Sequence, residues 1–272
     1  GVKRVAEDSS GSMLAAALQL RNQNADVYAA ARKAEYRDDP FGDGPPFAAF
    51  SSYAKKEAIE QSQVPMFVWV SWFDAATVCG ALSRFNTYSN PMRVVIGPWS
   101  HQGRFDANPF NSANAALDLT KEKRDQQSIQ FFSAHLKDAD AKEARQISYY
   151  TMGENKWKTT DVWPPKGVEL RAWYLSPNNA LSPSAPADAE ASDTYKVDFT
   201  ATTGERNRWR TQAQGEDVVY ADRAEQDKKL LTYTSPPLDR DTEISGSPVV
   251  TLYASSTEND GAFFVYLERV DA

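Results

Sequence analysis

The sequence predicts three consecutive parts: a helical segment, a piece of an α/β sheet and an all-β sandwich. Apolar residues recur at helical spacing within residues 1–62. Two short, continuously apolar runs joined by a helical pattern lie within residues 63–145, and short β-rich runs separated by turn residues fill residues 146–272. We therefore expect boundaries near residues 62 and 145.

Three helices are expected in residues 1–62. The first follows candidate capping residues at positions 8–10, and its apolar residues recur at positions 13, 14, 17 and 18. The second covers Asp26–Arg37, and a loop rich in Gly and Pro separates it from the third, about Ala48–Gln61. This part is typical of a small helical segment placed beside a larger domain.

The middle part alternates between strand and helix. Met66–Val70 and Arg93–Ile96 are continuously apolar, as in parallel strands that are covered on both faces. Helices are expected at Ala75–Tyr88 and Lys121–Lys137, and the second should direct three apolar residues inward: Ile129, Phe132 and Leu136. Two strands do not make a complete doubly wound sheet, so residues 63–145 predict only part of one.

The last part reads as β structure throughout. Short strands are expected at residues 148–152, 171–175, 218–220, 230–234, 249–254 and 263–267. Pro-rich segments between them, such as Pro164-Pro165 and Pro236-Pro237, interrupt any helix. Regularly spaced short strands favour a β-sandwich, which we expect to be incomplete in this chain.

Composition excludes several classes of function. The formal charge is −7, with 30 basic and 37 acidic residues, so the chain lacks the basic surface of a nucleic-acid binder. No apolar run approaches the roughly 18 residues of a membrane span, so we expect no membrane partner. Cys79 is the single cysteine, and only two histidines are present, His101 and His135, so a zinc site would have to rest on carboxylates. We expect no metal and no cofactor.

Two polar residues follow the two apolar strands. Asp74 comes shortly after Met66–Val70, and His101 follows Arg93–Ile96 after a Gly-Pro turn. Functional groups in open α/β sheets lie just beyond the carboxyl ends of strands. An Asp that orients an imidazole, whose reference pKa is about 6.5, is the arrangement that activates a nucleophilic serine. The alternatives are structural: Asp74 as the cap of the next helix, and His101 as a hydrogen-bonded loop residue.

Longer motifs resemble the cocaine esterase and X-prolyl dipeptidyl-peptidase group of α/β-hydrolases, which includes glutaryl-cephalosporin acylases. The resemblance covers most of the chain and rests on these segments: Trp72-Phe73-Asp74, Ile96-Gly97-Pro98-Trp99-Ser100-His101, Phe131-Phe132 with His135-Leu136-Lys137, Tyr150–Trp157, Trp163-Pro164-Pro165 and Phe263–Leu267. It implies the C-terminal part of an α/β-hydrolase core with a helical cap segment, followed by a jelly-roll sandwich of the galactose-binding type.

By this resemblance Asp74 is the acid and His101 the base of a Ser-Asp-His triad. The family carries its nucleophile on a Gly-x-Ser-x-Gly turn, which is absent from this chain; Ser12, ahead of the first helix, is the nearest imitation. The serine is therefore expected on an N-terminal segment of the same protein outside this chain, together with the oxyanion donors. Trp72 and Trp99 are expected to line an apolar pocket for the acyl group.

Two functions from different classes follow. The first is an acyl hydrolase that acts on a small-molecule ester or amide through an acyl-enzyme, with this chain alone inactive. The alternative is a non-catalytic binding module whose β-sandwich recognises a carbohydrate or a protein partner. His135 is expected to have a structural role. The sequence allows a homo-oligomer without deciding the oligomeric state, and the compartment and the acyl group stay undetermined.

Overall fold

The computed structural model describes residues 3–111, 115–137, 141–188, 190–214 and 218–271. The chain separates into two compact units, Gly1–Gln63 and Val64–Ala272, and each is described by itself. Within the described residues, no helix is long and apolar enough to cross a membrane.

The first unit contains short helices. They are α1 (Ser12–Arg21), α2 (Val27–Ala31), α3 (Phe47–Phe50), a 3₁₀ turn (Ser52–Lys55) and α4 (Lys56–Ser62). Asp8 supports the start of α1, because its carboxylate accepts hydrogen bonds from the backbone N–H groups of Met13 and Leu14.

Two of the predicted helices are shorter than expected. The second ends at Ala31, and the Asp39 carboxylate then accepts the N–H groups of Glu35 and Tyr36, which holds that stretch in a turn. The third is divided, because Ser51 adopts an extended backbone with ψ of 150° between α3 and the 3₁₀ turn.

The second unit is built on a four-stranded sheet in the order β1-β2-β3-β4. The strands are β1 (Met66–Ser71), β2 (Met92–Gly97), β3 (Gln146–Thr151) and β4 (Lys156–Thr160). β1, β2 and β3 run parallel, and β4 returns antiparallel to β3. Helix α5 (Thr77–Thr87) connects β1 to β2, and α6 (Lys121–Lys137) precedes β3. The strand–helix–strand reading of this region agrees with these elements.

Aromatic side chains cover both faces of the sheet. Tyr149 and Tyr150 are neighbours in β3, so their side chains point to opposite faces. A layer on the Tyr150 face links Trp157, Trp99, Trp69, Phe67 and Phe131 of α6 through successive ring contacts of 4.9–6.3 Å. On the other face, Tyr149 contacts Trp163, whose carbonyl accepts a hydrogen bond from Asn86 of α5.

The predicted boundary at residue 145 lies inside this sheet. Residues 146–272 were expected to form a separate sandwich, but β3 pairs with β2 through register partners such as Val94 and Ile147. Apolar alternation marks β3 as a strand without identifying its neighbour, and parallel pairing with β2 buries Ile147 and Tyr149.

Regular β structure is sparse after residue 160. The described residues there form β5 (Tyr174–Ser176), β6 (Ala180–Ser182) and two short helices, α7 (Arg208–Gln214) and α8 (Ala224–Asp227). Except for 171–175, which overlaps β5, and for a bridge from Thr234 to Ala180, the strands expected beyond residue 170 do not form here. A strand requires a neighbour that is hydrogen-bonded along its length, and these segments make only single contacts among the described residues, such as that from the Val219 N–H to the Arg206 carbonyl; most of their apolar side chains, Tyr253 among them, are exposed.

Helix α6 also differs from expectation. Its length agrees with Lys121–Lys137, but Ile129, Phe132 and Leu136 are 64%, 57% and 80% exposed. The face that packs on the sheet carries Phe131 instead, with Ser128, which accepts a hydrogen bond from the Trp69 indole. The predicted stripe is thus an uncovered apolar face of α6.

Candidate active site

Asp74 lies in the turn that follows β1. Trp72 still extends the pairing with β2, since its N–H donates to the Gly97 carbonyl at 3.0 Å. Ser71, which is buried, then holds the turn: its hydroxyl accepts from the N–H of Phe73 at 3.1 Å, and its carbonyl accepts from the N–H of Asp74 at 3.3 Å. This local network fixes the backbone from which the Asp74 side chain projects.

Asp74 does not cap the helix that follows it. The N-cap of α5 is Ala76, which has a φ of 60° and no side-chain cap. The carboxylate of Asp74 is therefore not used by the first turn of α5, and the structural alternative considered for this residue does not apply.

His101 lies at the tip of a loop that follows β2. The loop is closed by two backbone hydrogen bonds, from Ser100 to Phe105 at 3.0 Å and from Ala107 to Pro98 at 2.8 Å. His101–Gly103 forms a 3₁₀ turn at the tip. The imidazole is thus held on a short, closed loop at the same edge of the sheet as Asp74.

The loop brings the two predicted residues together. His101 Nδ1 lies 3.0 Å from Asp74 Oδ1, within hydrogen-bond distance. The Asp74 side chain is 13% exposed and the His101 side chain 31%. Among the described residues, Nε2 of His101 has no hydrogen-bond partner. The pair can therefore hold the imidazole through Nδ1 and present Nε2 for proton transfer.

A polar cluster that the sequence analysis did not identify anchors the end of this loop. Asp106 accepts hydrogen bonds from the Asn108 N–H and the Asn111 side chain, both at 2.8 Å. Asn155, between β3 and β4, accepts from Asn108 at 3.0 Å and donates to Asn111 at 3.2 Å. Asp followed by Asn two residues later is typical of a side-chain-stabilised turn, but nothing in the sequence indicates the contact with Asn155.

Trp72 and Trp99, the two residues expected to line the acyl pocket, pack in different surroundings. Trp99 is 4% exposed and packs between Trp69 and Trp157, at centroid distances of 6.3 and 6.0 Å. Trp72 donates its indole N–H to the Tyr150 carbonyl and contacts Trp163 at 6.1 Å, on the opposite side of the sheet. Their role in an apolar pocket for the acyl group stays a prediction.

The other candidate residues have structural surroundings. Ser12 begins α1 in the first unit, its hydroxyl lies 2.8 Å from that of Ser10, and no strand precedes it in the described residues. His135 Nε2 lies 3.3 Å from Glu143 Oε2, and Glu143 also forms a bidentate ion pair with Arg93. Within the described ranges, no group of three or more His, Cys, Asp and Glu side chains is arranged to hold a metal ion.

Comparisons with known proteins agree with the resemblance seen in the motifs. Residues 139–272 match the model of the X-Pro dipeptidyl-peptidase C-terminal non-catalytic domain. The chain is 36% identical over its whole length to proteins named "Putative serine esterase" from Mycobacterium bovis and Mycobacterium tuberculosis, and it spans 46% of the length of each. It is 23% identical over 76% of its length to cocaine esterase from Rhodococcus, covering 38% of that protein.

The matched domain is β-rich, which agrees with the β-rich reading of the last part of the sequence. Asp74 and His101 precede the matched range, so the description of that domain as non-catalytic does not concern them.

Proposed function

Because the chain is homologous to a C-terminal portion of the cocaine esterase and X-prolyl dipeptidyl-peptidase family, we propose that it is the C-terminal part of a serine hydrolase of acyl esters or amides. The observation that carries the proposal is the 3.0 Å contact between His101 Nδ1 and Asp74 Oδ1. In the proposed triad, Asp74 is the acid, His101 is the base, and the serine comes from an N-terminal segment outside this chain.

The geometry suits this chemistry. With Nδ1–H donating to Asp74, the neutral imidazole keeps its lone pair on Nε2, the atom that can accept a proton from a serine hydroxyl. Asp74 fixes this tautomer and stabilises the imidazolium that forms. The serine oxygen then attacks the acyl carbon and gives a tetrahedral oxyanion.

The remaining steps return the enzyme to its starting state. His101 transfers the proton to the leaving alkoxide or amine, and the acyl group stays on the serine. A water molecule then gives a proton to Nε2 and attacks the acyl-enzyme, and the proton passes to the released serine. We assign the oxyanion donors to the same N-terminal segment as the serine. The reaction as proposed uses no metal or cofactor.

The fold proposed for the complete protein explains two uncovered surfaces of the second unit. β1 pairs only with β2 among the described residues, so its other edge is open, and α6 exposes Ile129, Phe132 and Leu136. We propose that β1, β2 and β3 are the C-terminal strands of an α/β-hydrolase sheet, that the N-terminal segment continues this sheet from β1, and that the β-rich part forms a jelly-roll.

A binding module is the second candidate, and the non-catalytic description of residues 139–272 favours it for that part of the chain. Its sandwich would recognise a carbohydrate or a protein partner. This candidate gives no role to the contact between Asp74 and His101.

Active-site labelling tests the proposal. The complete protein is treated with a fluorophosphonate, which reacts with activated serines, and the labelled peptide is identified by mass spectrometry. We expect one labelled serine within Gly-x-Ser-x-Gly, with labelling strongly reduced in His101→Ala and unchanged in His135→Ala. The absence of label would support the binding module instead, and equal labelling of the His101→Ala protein would contradict the role of His101 as the base.

A further inference from the structure

We propose that Arg124 of α6 is a positioning residue for His101. It acts by contacting the loop that carries the imidazole both before and after His101. This inference rests on the proposed function for its catalytic consequence. The evidence that Arg124 holds the loop is independent of that function and comes from the contacts of its guanidinium group.

The first contact is with the turn that contains His101. The Arg124 guanidinium donates to the carbonyl of Gly103, the last residue of the 3₁₀ turn, at 2.7 Å, and its other terminal nitrogen donates to the Leu119 carbonyl at 2.9 Å. The unsatisfied carbonyls of a helical turn carry partial negative charge, so a cation at this end is favourable. Two fixed acceptors hold the planar guanidinium in one orientation.

The second contact is with Trp99, two residues before His101. The guanidinium carbon lies 4.9 Å from the centroid of the Trp99 ring, a cation–π distance. Trp99 is itself immobilised, because it is buried between Trp69 and Trp157. Arg124 therefore connects the turn after His101 to a rigid aromatic layer before it.

The Arg124 side chain approaches the backbone of the loop closely at Gly103. Its φ is +65°, a conformation that favours glycine, and a Cβ atom there would lie 2.8 Å from a terminal nitrogen of Arg124. Burial also lowers the pKa of Arg124, so the group is partly withdrawn from water. The approach of Arg124 depends on glycine at this position.

Loss of the Arg124 contacts is expected to affect catalysis. Without the guanidinium, the carbonyl of Gly103 loses its donor and the turn is released from Trp99, so the imidazole is no longer held against Asp74. A misplacement of about 1 Å costs on the order of 100-fold in rate. We expect Arg124→Met to lower kcat by about 10–100-fold with little change in KM. Lysine donates from a single nitrogen and lacks the planar fork that stacks on Trp99 while it reaches two carbonyls, so Arg124→Lys should restore only part of kcat.

Arg145 provides a matched control. Its guanidinium lies 4.2 Å from the centroid of the Phe85 ring and donates to the backbone carbonyls of Asn90 and Phe85, and burial lowers its pKa as well. It thus makes the same kinds of contact as Arg124 without touching the His101 loop. Arg145→Met should lower thermal stability without a specific loss of kcat.

The test measures kcat, KM and thermal unfolding of the complete protein and of these variants. It also follows the Nδ1 proton of His101 by NMR in protein labelled with ¹⁵N-histidine. We expect the hydrogen-bonded Nδ1 proton to be visible in the wild type and in Arg145→Met, and to be lost by exchange in Arg124→Met. If Arg124→Met does not fold, Arg124→Lys tests the positioning role in its place. Its kcat is expected to lie between that of the wild type and the roughly 10–100-fold lower value expected without the guanidinium.

Normal kcat together with an unchanged Nδ1 proton in a folded Arg124 variant would overturn the inference. Failure of the proposed function would look different: His101→Ala would keep its activity, or the wild type would hydrolyse no ester. The NMR comparison of Arg124→Met with Arg145→Met would still decide the positioning role in that case.

Discussion

Nδ1 of His101 lies 3.0 Å from Oδ1 of Asp74, across 27 positions of sequence and from two different strands of one sheet. Backbone hydrogen bonds close the turn that carries each residue, and on the His101 side the contacts of Arg124 with Gly103 and Trp99 add to them. The contact is therefore built into the fold of the second unit, and several predictions about the complete protein depend on it.

Replacement of the acid tests the role of Asp74. Asp74→Asn keeps the shape of the side chain, but it favours the tautomer with the proton on Nε2, which cannot act as a base. We expect kcat to fall by about 10⁴-fold, as for a triad aspartate, while the free energy of unfolding changes little. Steady-state or stopped-flow ester hydrolysis measures kcat, and urea unfolding measures the free energy of unfolding. A kcat within tenfold of wild type would contradict the role of Asp74 as the triad acid.

Gly97 tests the packing that supports the His101 loop. A Cβ atom at this position would lie 2.3 Å from atoms of the Trp99 ring, which cannot move away because Trp69 and Trp157 confine it. Gly97→Ala should lower the free energy of unfolding by about 1–3 kcal/mol, as overpacking does.

The control for that variant is a glycine with open space around it. Gly80 lies within α5, and nothing approaches a Cβ built there within 4 Å. Gly80→Ala should raise stability by about 0.5–1 kcal/mol through helix propensity. Equal effects of the two alanines in urea unfolding would show that Trp99 is not confined as described.

An ion pair gives the second unit a predicted pH dependence. Lys158 lies 2.5 Å from Glu243, and hydrogen bonding to Lys158, followed by that to Ser245, lowers the pKa of the Glu243 carboxyl. A lowered folded-state pKa means that the stabilisation is complete above the unfolded pKa of about 4.3 and is lost as the pH falls through the folded value.

Lys158→Met should therefore be less stable than wild type at pH 6, by at most about 1 kcal/mol for this partly exposed pair, and the difference should vanish near pH 3. Lys158 also contacts Glu154, and Lys156→Met, which removes a more exposed lysine that contacts Glu154 as well, is the control for the part of the effect that Glu154 contributes. A difference between Lys158→Met and wild type that persists at pH 3 would contradict the assignment.

Expression of this chain alone should give a poorly soluble and inactive protein. The open edge of β1 and the exposed apolar face of α6 favour association, and no serine of the chain is placed in a nucleophile turn. Light scattering measures the association of the isolated chain, and ester hydrolysis measures its activity. A monodisperse, fluorophosphonate-sensitive esterase made of these 272 residues would contradict the proposed location of the nucleophile.

The candidate pair could be predicted from the sequence because its signal is local. A continuously apolar run predicts a buried parallel strand, and a polar residue just beyond it lies at the carboxyl edge of the sheet. Asp74 and His101 each follow such a strand.

Other features could not be predicted because their partners are distant in sequence. Helical spacing identifies an apolar stripe without showing which side is covered, so the exposure of Ile129 on α6 was missed. Arg124 reads as an ordinary charge on an amphipathic helix, and only the folded loop shows its contact with Gly103. The pairing of β3 with β2 depends on a connection of about 50 residues, for which alternation gives no register.

The most direct test of the account is ester hydrolysis by the complete protein carrying His101→Ala, measured beside His135→Ala. His135 is the other histidine of this chain, and it contacts Glu143 rather than Asp74. We expect His101→Ala to lose at least about 10³-fold in kcat and to remain folded, and His135→Ala to stay within a few-fold of wild type. Near-normal turnover by a folded His101→Ala protein would contradict the role of His101 as the base.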